Sequence, residues 1–209
     1  MRRRPGPRWY AAVLRRAGDD RGQALPVYVT AIGALLVLAF AYVAVGRAAV
    51  VAGGARTAAD AAALGAASAT RDQLRDAVAR IVTGGHGDLG AVLDGRWPGL
   101  PDPCEAAGAF AGRNGAHLTA CQVDGARYTV SVETDADVGH TLVPGTEGHR
   151  GHAGATAELT PRCGLSATSP GTPGTPGTLH CDGGDFPLDP AHPGTLPSAA
   201  DLFAVRLIR

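Results

Sequence analysis

Four cysteines, Cys104, Cys121, Cys163 and Cys181, are the residues of this chain best placed to do chemistry. Thiols either oxidise in pairs or bind a metal as thiolates. Zinc sites draw on close Cys-x-x-Cys pairs, whereas the nearest two here stand 17 positions apart. An even set in a small, core-poor module points instead to two disulfides and an oxidising compartment. Three connectivities are open. Cys104 opens an expected helix and Cys121 lies in the strand after it, so a bridge between them staples helix to sheet. Cys163–Cys181 then closes a Pro-Gly-Thr loop, and a loop of that size is worth about 3 kcal/mol in the chain-entropy account.

The histidines offer less. His140, His149 and His152 gather near Glu147, but in a glycine-rich stretch with no helix to hold them at a ligating spacing. They read as solvated loop residues. The chain has no nucleophile elbow, P-loop or dinucleotide fingerprint. The expectation is a non-enzyme, with no catalytic, cofactor-binding or metal residues and no cofactor.

The element that must position the cysteines is set by an uncharged run, Gly22–Gly46, GQALPVYVTAIGALLVLAFAYVAVG. About 20 apolar helical residues cross a bilayer, and this run supplies them on every face, unlike a soluble core helix. A cleaved signal has a shorter apolar region, about 7–15 residues, ending at a turn. Residues 1–21 carry seven arginines against two aspartates, while the net charge of the whole chain is +0. By the positive-inside rule this arm stays in the cytoplasm. The expected location is therefore the cell membrane, single-pass, N-terminus in and C-terminus out. Topology already accounts for the arginines, so nucleic acid is not an expected partner; the lipid bilayer is.

Residues 47–83 continue as an alanine-rich helix outside the membrane, since alanine is the best helix former. Leu74, Val78, Ile81 and Val82 mark one face, and Asp72–Arg75 and Asp76–Arg80 are spaced to pair along it. Gly53-Gly54 is the expected point of a bend or interruption. Small residues at Ala58, Ala59, Ala62 and Gly65, with Asp60 to fix register, let helix backbones approach closely. The functional reading is packing against copies or related helices; the plainer one is that alanine makes a cheap helix.

Residues 84–101 read as a glycine-rich connector and 102–160 as a small α+β module. In the module Asp102 caps a helix with Pro103 at its first position, and Gly115 ends it. HLTACQV is a strand, Asp124-Gly125 a hairpin signal, and ARYTVSVET alternates, with Tyr128, Val130 and Val132 on one face. A third strand is expected near Ala153–Leu159. Residues 161–209 read as a loose Pro/Gly/Thr-rich tail, whose end, AADLFAVRLIR, returns as an edge strand or a short helix. The fold class expected is α+β: a long N-terminal helix, partly transmembrane, followed by a disulfide-stapled helix–strand–strand module.

DRGQALPVYV, the apolar span and ARTAADAAALGAA together resemble the N-terminal region of TadE/TadG-like proteins of Tad (Flp) pilus assembly, particularly those of high-GC actinobacteria. The shared features are Gly22-Gln23 before the span and Ala58-Ala59-Asp60-Ala61-Ala62-Ala63 after it. CEAAGAFAGRNGAHLTACQVDGARYTVSVET is similar to the outer module of the same group. The resemblance implies a pilin-like or accessory component working with other pilus-assembly subunits. The chain departs from the family's prepilins at one point. Counting from Gln23, the fifth residue is Val27 where those carry Glu, although Tyr28 follows as it does in them. The rival expectation is a membrane-tethered binding module whose loops 135–160 and 164–200 contact wall polymer or another envelope protein.

Overall fold

The computed structural model describes residues 24–84, 86–139, 148–166 and 177–208. The basic arm, Gly22-Gln23, His140, Glu147 and positions 170–176 of the Pro-Gly-Thr repeats lie outside them. Two compact units divide the chain, Met1–Gly46 and Arg47–Arg209. Helix α1, Ala24–Val82, contributes to both.

In the first unit the helix is apolar and open on every side, with Leu25, Leu35, Leu36, Phe40 and Val45 all exposed. It is long and apolar enough to cross a membrane, with a mean hydropathy of 2.3 over its best window. Its one hydroxyl-bearing aliphatic residue is satisfied internally. Thr30 Oγ1 donates to Pro26 O at 3.0 Å and Val27 O at 2.9 Å.

In the second unit α1 buries Ala55, Ala58, Ala59, Ala62, Ala63, Ala66, Ala67, Leu74, Ala77 and Val78, the spacing of one helical face. Of the bend or interruption expected at Gly53-Gly54, the interruption does not occur, and the helix runs through both glycines. Each costs about 1 kcal/mol relative to alanine, which well-formed turns on either side offset by cooperativity. The expected ion pairs also differ. Arg71 reaches its neighbour Asp72 at 3.2 Å and Arg75 reaches Asp76 at 3.6 Å; on an exposed face these geometries differ little in energy.

Helix α2, Leu89–Leu93, gives the connector an anchor, burying Val92 and Leu93 behind an Asp88 cap. Helix α3, Pro103–Arg113, begins as expected, with the Asp102 carboxylate accepting from Cys104 N at 2.9 Å. Gly115, at φ +67°, turns the chain into the sheet. Strands β1 (Ala116–Asp124), β2 (Arg127–Asp137), β3 (Arg150–Pro161) and β7 (Phe203–Ile208) form an antiparallel sheet in the order β1-β2-β3-β7. The hairpin turn falls one residue later than expected. Asp124 is still in the ladder opposite Arg127, and Gly125-Ala126 make the loop. Gly125 has φ +56° and Ala126 does not have positive φ, the pattern of a type II′ turn. Tyr128, Val130 and Val132 are buried, while Arg127 and Thr129 are exposed on the other face.

The described residues of the tail are ordered into elements. Strands β4 (Cys163–Ser166), β5 (Thr178–Cys181) and β6 (Gly184–Pro187) build a second antiparallel sheet. Both alternatives for the chain end then occur in succession. Helix α4, Ala199–Leu202, is one turn closed by a Ser198–Asp201 capping box, and β7 follows directly. Leu202 and Phe203, both fully buried, fix that switch. The strongly apolar residues are few, but Leu179, Leu188, Leu196, Leu202 and Phe203 are buried.

Candidate functional site

The feature with the clearest design is the seat of the sheet module on the small-residue face of α1. Ala58, Ala59, Ala62 and Gly65 are all buried there, by the chain itself. A Cβ placed at Gly65 would stand 2.7 Å from Phe110 Cγ and 3.1 Å from its Cβ, so α3 lies directly against the helix at that point. At Gly151, where β3 begins, a Cβ would fall 2.7 Å from the Val51 carbonyl oxygen. Both glycines are thus places where two elements touch at backbone distance. The close approach expected between copies is taken up within one chain. Asp60 is exposed, outside this contact, and does not set its register.

One polar link crosses the apolar interface. Thr70, buried at 5% exposure, donates Oγ1 to Ala66 O at 3.2 Å, and its hydroxyl lies beside the Tyr128 phenol. Burial raises the pKa of Tyr128, more than its bond to Thr70 lowers it. The phenol therefore stays neutral in this apolar setting.

The cysteines close as Cys104–Cys121 and Cys163–Cys181, and none is left free among the described residues. The first pins α3 to β1 across a Cα–Cα distance of 5.9 Å. The second joins directly opposed residues of β4 and β5. Removing the first by Cys104→Ala with Cys121→Ala is expected to cost about 3 kcal/mol, read as a lower denaturation midpoint. A non-reduced digest should yield the two linked peptide pairs. Four free thiols in protein from the envelope would contradict both assignments.

Of the histidine group, His152 sits across from Glu133, its Nδ1 3.6 Å from that carboxylate. Three other pairs escaped the sequence reading: His117–Asp135 at 2.9 Å, His180–Asp185 at 2.6 Å and His192–Asp189 at 2.7 Å. Only strand register brings the first together, as Gly115 and the β1–β2 ladder align residues 18 apart. His192, and then the Ala191 amide, hold the Asp189 carboxyl below the usual range. No group of three or more metal-donor side chains forms among the described residues. On the outer face Glu158 lies between Arg206 at 3.0 Å and Arg127 at 3.3 Å, which lower its pKa in that order. These are surface pairs, each worth little in stability.

The geometry holds a sheet module against a helix. No protein-family model, curated protein or solved structure matches this chain.

Proposed function

We propose that this chain is a non-enzymatic, membrane-anchored, pilin-like or accessory component of a Tad-type (Flp) pilus assembly or secretion apparatus. It lies in the cell membrane with the arginine-rich arm cytoplasmic and the sheet module outside. The observation that carries this reading is the division of labour along one helix. Its first part is exposed and apolar, and its second is a small-residue surface that seats a disulfide-stapled sheet. A bare membrane tether has no need of the second feature, because any linker would carry a binding domain. Support also comes from the resemblance at Gly22-Gln23 and Ala58–Ala63, and from cysteines confined to the side expected to be oxidising.

Two measurements test the reading. A reporter active only outside the cytoplasm, fused after Arg209, is expected to be active; an inactive, well-expressed fusion reverses the topology. Cross-linking of the tagged full chain in living cells is expected to capture membrane subunits of a pilus or secretion apparatus. Capture of wall polymer alone would replace this function with that of a tethered binding module.

A further inference from the structure

The four-stranded sheet has two open edges, β1 and β7, and their properties match. Among the described residues β1 pairs only with β2, and β7 only with β3. With four strands each antiparallel to the next, β1 and β7 themselves run antiparallel. One copy's β7 can therefore meet the β1 of a copy in the same orientation and form an ordinary antiparallel ladder.

The backbone groups agree with this. Asp124 and Arg127 flank the two-residue loop and face each other across the ladder, so they exchange hydrogen bonds, and Val123 and Cys121 turn their N–H and C=O to the open side. On the other edge the Leu159 amide donates to Ala126 O at 2.9 Å, directing its groups toward β2. Val205, opposite Leu159, therefore turns its own groups outward, as does Leu207 two residues on. On both edges the residues offering free backbone groups carry their side chains on the inner, apolar face. Had one edge been out of phase, pairing would have set apolar residues against solvent-facing ones.

We propose that the partner of this module is a second copy, with β7 of one chain adding to β1 of the next. Val205 lies opposite Val123 and Leu207 opposite Cys121. Ala204, Arg206 and Ile208 lie opposite Asp124, Gln122 and Ala120 of the next copy. Residues 204–208 of β7 meet residues 124–120 of β1, whose regular part is bounded by the irregularity between Leu118 and Ala120. The pairing covers Val123 and Leu207, which are 46% and 37% exposed in the single chain. It sets no like charges opposite one another and brings Arg206 diagonal to Asp124, within reach of a long side chain. Strand addition of this kind gains its affinity from main-chain hydrogen bonds.

The simpler dimer has a different symmetry. Pairing β7 with β7 requires a half-turn about the sheet normal and closes as a pair. Pairing β7 with β1 leaves every helix in the same sense and is heterologous, so it propagates as an open row rather than closing as a pair. The inference rests on the proposed function only in taking copies to share one membrane.

Cysteine cross-linking of the full chain in its native membrane decides it. Ala204 and Asp124 of the next copy form a non-hydrogen-bonded pair, with Cα atoms about 4.5 Å apart, inside the range a disulfide spans. Under oxidation Ala204→Cys with Asp124→Cys is expected to give a ladder of covalent dimers, trimers and longer species. Each single variant alone gives monomer, and a mixture of the two singles gives dimer and nothing longer. Ile208→Cys with Ala120→Cys reports the same register from the other end. A homodimer from Ala204→Cys alone overturns the heterologous pairing. Monomer from both double variants, with Cys104–Cys121 and Cys163–Cys181 intact, overturns the inference altogether. That last result leaves the proposed function standing if the apparatus subunits are still captured, so the two failures are distinguishable.

Discussion

Ala62→Leu combined with Gly65→Leu is expected to unfold the outer module, or to lower its stability by roughly 2–6 kcal/mol, taking about 1–3 kcal/mol for overpacking at each site. Ala62 is fully buried, and a side chain at Gly65 meets Phe110 from its Cβ outward. Because the contact includes the Phe110 Cβ at 3.1 Å, a turn of the ring alone does not relieve it. The leucine at position 65 gains about 1 kcal/mol of helix propensity, too little to offset the clash. Against a total stability of about 5–15 kcal/mol, the change should lower the denaturant midpoint of the solubilised chain. It should also expose the Cys104–Cys121 bridge to mild reductant while helix content from α1 persists. An unchanged midpoint would mean that the face is an external packing surface after all.

Leu35→Asp with Leu36→Asp is expected to abolish membrane integration. The eleven strongly apolar residues between Leu25 and Val45 favour insertion by about −3 to −7 kcal/mol in sum. Each aspartate near the helix centre opposes it by about 2.5–3.5 kcal/mol and removes a favourable leucine as well. The balance passes to zero or beyond. Leu35 and Leu36 are 66% and 54% exposed and touch no core, so the loss would not come from damage to the folded module. Alkaline extraction of membranes reads the result: wild type stays in the pellet and the variant is released. A variant that remains integrated would show that the run is not what anchors the chain.

Several features are settled by local sequence because their causes are local. The helix start at Pro103 follows from an Asp cap and a proline at the first turn. The end at Gly115 follows from a backbone conformation that glycine adopts without penalty. The inner face of β2 is a strict alternation, and the first part of α1 is an apolar run long enough to cross a membrane; neither needs knowledge of a distant residue. The sequence left three connectivities open but suggested Cys104–Cys121, on adjacent elements joined by a tight turn, and the structure has that bridge.

Other features depend on contacts that sequence patterns do not carry. The stripe Ala58–Gly65 announces close approach, because small side chains permit it, but it does not say to what. Phe110, 45 positions after Gly65, supplies the answer only once α3 is folded back. The tail's second sheet was hidden because its strands are each 4 residues long, too short for a period to show, and are held by a disulfide and by one another. The surface pairs His117–Asp135 and Arg127–Glu158–Arg206 exist through register alone. The two open edges are the same kind of feature. That each segment could form a strand was readable by itself, but whether their free backbone groups agree in phase depends on strand order and turn length. Those are properties of the assembled sheet, fixed by hydrogen bonds between residues far apart in the chain.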